Sequence, residues 1–147
     1  MRLQYLALAS LMILYSLMFI GGYISASGLG LSCPDWPLCP NGILPDDEFF
    51  IEWGHRFIAA TTGSLIIATT VGVWLNKSSD RKIKVTSTLG SILVVTQITL
   101  GALVIEAKLH AVLVAIHLGI GILLFAMTLL TAIFAFRMAK ASIIAKV

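Results

Sequence analysis

Hydrophobic residues along this chain fall into four long runs that are separated by short polar segments. The runs extend approximately from Leu3 to Ala26, from Phe49 to Leu75, from Val85 to Ile105 and from Ala111 to Phe136. Each run has the roughly 20 residues that a helix needs to cross the hydrocarbon core of a bilayer. The pattern therefore predicts an all-α fold, a membrane four-helix bundle with up-down-up-down topology that forms a single domain over residues 1–147.

The composition agrees with a membrane protein, because 59% of the 147 residues are hydrophobic and only 12% are charged. Ordinary soluble domains carry about twice that share of charged residues. The end of the first run, Ser25-Ala26-Ser27, superficially resembles a signal-peptide cleavage site. However, the run is longer than the roughly 7 to 15 apolar residues of a signal peptide, so we interpret it as a retained span.

The net charge of +3 reflects topology rather than binding of nucleic acid. Most basic residues fall on one side of a four-crossing arrangement: Arg2, Lys77, Arg81, Lys82, Lys84, Arg137, Lys140 and Lys146. The other side holds Arg56 and Lys108 beside most of the acidic residues. By the positive-inside rule, the protein is predicted to cross the cell membrane with both termini in the cytoplasm, and the loops after the first and third helices face outward.

The longest polar interval, residues 28–48, contains the only two cysteines, Cys33 and Cys39. They are too far apart for a thioredoxin-type Cys-x-x-Cys motif and too few for a structural zinc site. Because disulfides persist outside the cell, we expect Cys33 and Cys39 to form one, either as a structural link or as a redox-active pair. Trp36 between them would lie at the membrane surface, as an interfacial anchor or as a lid over a site.

The second run opens with an unusual concentration of ionisable residues, Glu52-Trp53-Gly54-His55-Arg56. On a helix, Glu52 and His55 share a face, and Glu52 can pair with Arg56 four residues later. Ionisable groups are costly within a bilayer, so this turn is a candidate functional site. A purely structural alternative is that Arg56 extends to the interface, Glu52 neutralises it, and His55 is a satisfied polar residue.

The fourth run contains a second candidate, His117, which has apolar neighbours on both sides. His110 lies at the mouth of the same helix, where a structural role is expected. In the third run, Gln97 requires a hydrogen-bond partner on a neighbouring helix. Glycines at positions 21 and 22 permit close approach of a helix or of a flat ligand.

Helices two and four of the predicted bundle lie diagonally opposite each other. His55 and His117 each lie about six residues inside their runs, so both imidazoles are expected at roughly the same depth of about 9 Å. Such a pair can bind one haem iron from both sides. Zinc would want more protein ligands, and a proton relay would want more ionisable groups, so haem is the preferred hypothesis.

The same residues carry a resemblance to the haem A synthase family. The matching motifs are Gly28-Leu29-Gly30-Leu31-Ser32-Cys33-Pro34-Asp35-Trp36-Pro37-Leu38-Cys39, Glu52-Trp53-Gly54-His55-Arg56, Gln97-Ile98-Thr99-Leu100-Gly101-Ala102 and Ile116-His117-Leu118. They occur in the family's order and cover most of the chain. The first two motifs together are specific, whereas the last two would be weak alone.

The resemblance implies a reaction, the oxidation of the C8 methyl group of haem O to a formyl group, which gives haem A. It implies that His55 and His117 are axial ligands of the iron, with haem b as the resident cofactor. Glu52 would be the catalytic acidic residue near the oxidised edge. Arg56 would contact a haem propionate or hold Glu52. Cys33 and Cys39 match the cysteine pair that many members carry in this loop.

Typical members of that family have eight helices in two similar halves, whereas this chain resembles one half, a compact form. We therefore expect a homo-oligomer, with a dimer favoured, that reproduces the two halves. Haem O is the expected substrate, and haem O synthase and a terminal oxidase are the expected protein partners.

Three other classes of protein remain open. A bis-histidine membrane cytochrome would use His55 and His117 for electron transfer only and would have no need of Glu52. A thiol oxidoreductase would use the outer cysteines but would usually need a Cys-x-x-Cys motif or a second pair. A small structural subunit would bind no haem.

Overall fold

The computed structural model describes residues 3–33, 35–37, 39 and 46–144. These residues form four α-helices, with a short 3-10 turn at Asp47–Phe49 before the second helix. The helices are α1 (Leu3–Ser27), α2 (Phe50–Leu75), α3 (Arg81–Glu106) and α4 (Ala111–Ile144). Each is long and apolar enough to cross a membrane. The predicted all-α, multi-pass membrane fold is thereby confirmed.

The helices pack in a ring in which each contacts its two neighbours. Ser10 near the start of α1 contacts Thr69 near the end of α2, whereas Gly21 near the end of α1 lies against His55 near the start of α2. Contacts in the same inverted order join α2 to α3 and α3 to α4. Consecutive helices therefore run antiparallel, and α2 and α4 occupy diagonal corners. We call the end with residues 28–33 and 107–110 the loop end, and the end with residues 76–80 the basic end.

Two helices extend beyond the apolar runs that predicted them. α3 begins at Arg81, four residues before the predicted start, because the Asp80 side chain caps the helix by accepting a hydrogen bond from the backbone N–H of Ile83 at 3.0 Å. α4 continues past Phe136 to Ile144. Hydropathy marks where a helix leaves the hydrocarbon core, and the helix itself can continue into the headgroup region.

The core has three layers between the basic end and the level of the histidines. An apolar cluster lies nearest the basic end, consisting of Ala7, Val73, Ile83, Ala132 and Ala135. The hydroxyl layer follows, with side chains from all four helices: Ser10, Thr69, Thr70, Thr86, Ser87, Ser91, Thr128 and Thr131. Several of these residues line a cavity of about 10 Å³. The apolar layer comes next, formed by Leu14, Ile66, Val94 and Leu124.

Candidate functional site

Glu52 lies in the first turn of α2, and only 4% of the residue is exposed. Its Oε2 accepts hydrogen bonds from the hydroxyl of Ser32 at 3.0 Å and from the backbone N–H of Cys33 at 2.9 Å. Its Oε1 accepts one from Arg56 at 2.7 Å. The predicted ion pair between Glu52 and Arg56 is confirmed. All these contacts come from donors, as an ionised carboxylate requires, because it can only accept hydrogen bonds.

Arg56 joins α2 to the backbone of the preceding loop. Its guanidinium donates to the carbonyl oxygens of Cys33 at 2.6 Å and Pro37 at 3.4 Å, and also to that of Asp35. A planar guanidinium with several fixed N–H groups suits such a set of acceptors. Within the part of the chain that the structure describes, Nε of Arg56 is buried and has no hydrogen-bond partner. Arg56 thus joins Glu52 to the loop. Its expected contact with a haem propionate stays a prediction.

The expected disulfide between Cys33 and Cys39 is present, with 5.1 Å between the two Cα atoms. Both residues are buried. The backbone of Cys33 uses both its polar groups on α2, since its N–H donates to Glu52 and its carbonyl accepts from Arg56. The disulfide therefore closes the loop at the point where the loop meets the ion pair.

The same loop also contacts the connection between α3 and α4. Gly30 is buried there, and a β-carbon at position 30 would lie 3.1 Å from Cδ2 of Leu109. Lys108 and Leu109 have positive φ values of 52° and 60°, a left-handed conformation that is uncommon for residues other than glycine. This tight connection places Leu109 against the loop. The loop therefore contacts both α2 and the connection between α3 and α4.

His55 and His117 lie on the diagonal helices α2 and α4, and each imidazole packs against a glycine of a neighbouring helix. A β-carbon on Gly21 of α1 would lie 3.0 Å from Cε1 of His55, and one on Gly101 of α3 would lie 3.6 Å from Cε1 of His117. Within the described ranges, Nδ1 of each ring is buried without a hydrogen-bond partner.

Gln97 connects α3 to α4 at the level of His117. Its Nε2 donates to the backbone carbonyl of His117 at 2.9 Å, which confirms the expected partner on a neighbouring helix. Gly121 makes room for this amide, because a β-carbon there would lie only 2.8 Å from Nε2. The hydrogen bond therefore fixes the backbone that carries His117.

Other predicted residues lie apart from this arrangement. His110 is exposed in the turn before α4, and Trp36 in the loop is about half exposed. Over the described ranges, no group of three or more His, Cys, Asp or Glu side chains comes together to hold a metal ion. The arrangement thus consists of the imidazoles of His55 and His117, with the buried ion pair and the disulfide loop next to His55 along the chain.

Sequence reasoning missed the contacts of the ion pair with the loop and the place of Gly21. The local signal for the first was the polar Ser32-Cys33 pair, which offers a hydroxyl and a backbone N–H to Glu52. The signal for the second was the glycine pair near the end of α1. No local pattern could show that Gly21, rather than Gly22, faces the imidazole of His55.

Comparison with known proteins identifies relatives of this chain. It is 32% identical to the "Heme A synthase" of Bacillus licheniformis over 120 residues, which are 80% of this chain and 40% of that protein. It is 30% identical to the "Heme A synthase" of Bacillus pumilus over 139 residues, 92% of this chain and 45% of that protein. It is also 32% identical to a "Protoheme IX farnesyltransferase" of Halobacterium salinarum over 121 residues, 80% of this chain and 26% of that protein.

The chain therefore spans less than half the length of these curated relatives. The sequence profile of one family matches residues 45–146, a stretch that includes both intramembrane histidines and the Glu52–Arg56 pair. That match covers most of the chain and helices α2 to α4 in full. The chain belongs to the COX15-CtaA family of cytochrome oxidase assembly proteins.

Proposed function

We propose that this protein is a haem A synthase, which oxidises the C8 methyl group of haem O to a formyl group. Relatives named "Heme A synthase" support a role in haem A synthesis. The observation that carries the proposal is the pair of imidazoles on diagonal helices, each packed against a glycine and each with a buried, unpartnered Nδ1.

The residues present fit a bis-histidine haem. The porphyrin supplies four nitrogen ligands to its iron, so two imidazoles from the protein complete the coordination. In the described part of the chain, Nδ1 of each ring has no hydrogen-bond partner, so neither imidazole is committed to another protein group through that nitrogen. Haem b, the proposed resident cofactor, supplies electron-transfer chemistry when bound.

Glu52 is the proposed catalytic residue, and Arg56 is the proposed contact for a propionate. Glu52 precedes His55 by one helical turn, and its carboxylate would serve as the proton acceptor for a substrate haem bound beside that turn. The hydroxyl of Ser32 and the guanidinium of Arg56 orient its carboxylate. Arg56 retains a buried Nε for a further acceptor.

Replacement of the histidines tests the haem site. We expect His55→Ala and His117→Ala each to abolish or strongly reduce haem in the purified protein, as measured by the reduced-minus-oxidised spectrum and by pyridine haemochrome analysis. His110→Ala is the matched control, because His110 is exposed and should leave the haem content unchanged. Full haem content in either intramembrane variant would reject the bis-histidine assignment.

A bis-histidine cytochrome that only transfers electrons is the second candidate. The observation that favours it is that both oxygens of Glu52 are already bound, to Ser32, Cys33 and Arg56. In that case Glu52 would only anchor the loop, and the protein would not change its haem.

Haem extraction separates the two candidates. Co-expression with a source of haem O should give haem A or its alcohol precursor for the wild type. Glu52→Gln should keep the haem and lose the product, whereas the double variant Cys33→Ser/Cys39→Ser, which loosens the loop but keeps the carboxylate, should retain some product. Wild-type protein that binds haem O without altering it would favour the cytochrome.

We also propose an orientation in the membrane and an oligomeric state for this protein. We place the loop end outside the cell and the basic end in the cytoplasm, because Lys and Arg favour the cytoplasmic side. A second copy of this four-helix unit would supply a second haem pocket, in a dimer. Reporter fusions at residues 77 and 108 test the orientation, and light scattering of the active, solubilised protein tests the dimer.

We also propose two protein partners, the enzyme that makes haem O and a terminal oxidase. One relative, a "Protoheme IX farnesyltransferase", contains a segment similar to this chain over 26% of its length. We propose that this protein associates with the enzyme that makes haem O and delivers its product to a terminal oxidase. Co-purification of a tagged chain with haem O synthase tests the first association.

A further inference from the structure

A groove lies on the outside of the bundle near the basic end, between the end of α2 and the start of α3. Its volume is about 500 Å³, and it is lined by Trp74, Arg81, Lys84, Val85, Thr88 and Leu89. It lies toward the basic end of the bundle, whereas the histidines lie toward the loop end. The proposed haem chemistry therefore makes no use of it.

The rim of the groove is positively charged. Arg81 and Lys84 lie one helical turn apart, and Lys84 Nζ is 5.3 Å from the centre of the Trp74 ring, which Thr88 orients by accepting a hydrogen bond from Trp74 Nε1 at 3.1 Å. The nearby Asp80 uses its carboxylate to cap α3. Over the ranges that the structure describes, neither Arg81 nor Lys84 forms an ion pair.

Below this rim the surface becomes apolar in the direction of the membrane interior. Val85, Leu89 and Ile92 are all substantially exposed and follow one face of α3 at helical spacing. The groove therefore presents two cations with an indole beside them, and then an aliphatic track that leads toward the membrane interior. A phospholipid has its phosphate, its glycerol esters and its acyl chains in that same order.

We propose that this groove binds one anionic phospholipid. The phosphate contacts Arg81 and Lys84, the ester region lies beside the indole of Trp74, and an acyl chain follows the apolar face of α3. Charge complementarity selects an anionic lipid over a zwitterionic one, because two cations in a groove without a paired carboxylate leave positive charge to be neutralised.

Native mass spectrometry of the detergent-solubilised protein tests the proposal. The probes are phosphatidylglycerol and phosphatidylcholine with identical acyl chains. We expect phosphatidylglycerol to be retained and to raise the melting temperature, and phosphatidylcholine and inorganic phosphate to do neither. Arg81→Gln/Lys84→Gln should weaken retention roughly 30-fold, since each juxtamembrane cation contributes about fivefold to binding of acidic lipid.

The matched control is Lys77→Gln/Lys82→Gln, which removes the same charge from the same end of the bundle but does not alter the groove. This variant should retain phosphatidylglycerol as the wild type does. Equal losses in both double variants would overturn the proposal, because they would indicate a diffuse attraction to the basic end. Equal binding of phosphatidylcholine, or a change of oligomeric state in the groove variant in place of lipid loss, would overturn it as well.

Discussion

Gly21 and His55 are in such close contact that a side chain at position 21 would press against the imidazole. A β-carbon at position 21 would lie 3.0 Å from Cε1 of the imidazole, and its next nearest atoms, Nδ1 and Nε2 at 3.7 and 3.8 Å, belong to the same ring. Gly22, the next residue, has no atom within 4 Å of the corresponding position. The backbone of α1 at Gly21 therefore packs directly against the imidazole of His55.

Gly21→Ala should displace the imidazole of His55. Overpacking at a contact of this kind costs about 1–3 kcal/mol, and the ring cannot move without changing its direction. We expect lower haem content or an altered haem spectrum, and a lower melting temperature of the haem-free protein. Gly22→Ala should match the wild type in both measurements. Equal effects of the two substitutions would contradict the contact.

Gly121→Ala should break the hydrogen bond between Gln97 and the carbonyl of His117. The new methyl group would lie 2.8 Å from Nε2, so the amide must move away. We expect a loss of about 1 kcal/mol in the free energy of unfolding, similar to that of Gln97→Leu, because both remove one interhelical hydrogen bond.

The double variant Gly121→Ala/Gln97→Leu should be hardly less stable than either single variant, since both act on one interaction. Gly119→Ala is the control, because no atom lies within 4 Å of a β-carbon there. Unfolding by denaturing detergent gives all four free energies. Strictly additive losses would show that position 121 acts through something other than Gln97.

Reduction of the disulfide between Cys33 and Cys39 should destabilise the loop end by about 2 kcal/mol, since the bond closes a short loop. The melting temperature of the wild type should fall in a reductant that reaches buried disulfides. The variant Cys33→Ser/Cys39→Ser should start from the lower value and show no response. If the wild type were equally insensitive after complete reduction, the loop would be held by the ion pair alone.

Arg56→Gln should cost about 3 kcal/mol, because it leaves the buried carboxylate of Glu52 without its charged partner. The double variant Arg56→Gln/Glu52→Gln removes the stranded charge and should be more stable than Arg56→Gln alone. Comparison of their free energies of unfolding checks this order. A double variant less stable than the single one would mean that the loop contacts of Arg56 outweigh the ion pair.

Hydropathy alone predicts the number of helices, because a bilayer demands about 20 apolar residues for each crossing. It cannot predict that α3 begins at Arg81, since that start depends on the cap from Asp80, or that α4 extends to Ile144. Asp80, five residues before the apolar run that starts at Val85, was a readable signal for the first of these.

Within the site, helical spacing predicts the pairing of Glu52 with Arg56 because both residues belong to one helix. It cannot predict that Arg56 binds three loop carbonyls, because their positions depend on how the disulfide and Gly30 fold the loop. Likewise, the apolar membrane environment predicts that Gln97 has a hydrogen-bond partner on a neighbouring helix. Which atom it binds, the carbonyl of His117, follows only from the packing of α3 against α4.

The apolar layer of Leu14, Ile66, Val94 and Leu124 lies between the histidines and the hydroxyl layer, and each of its members is at most 4% exposed. A chain of polar groups that could conduct protons from one aqueous compartment to the other is interrupted there. In the reaction that we propose, a proton released near His55 would therefore leave at the loop end. The apolar layer would thus keep the proposed reaction from carrying protons across the membrane.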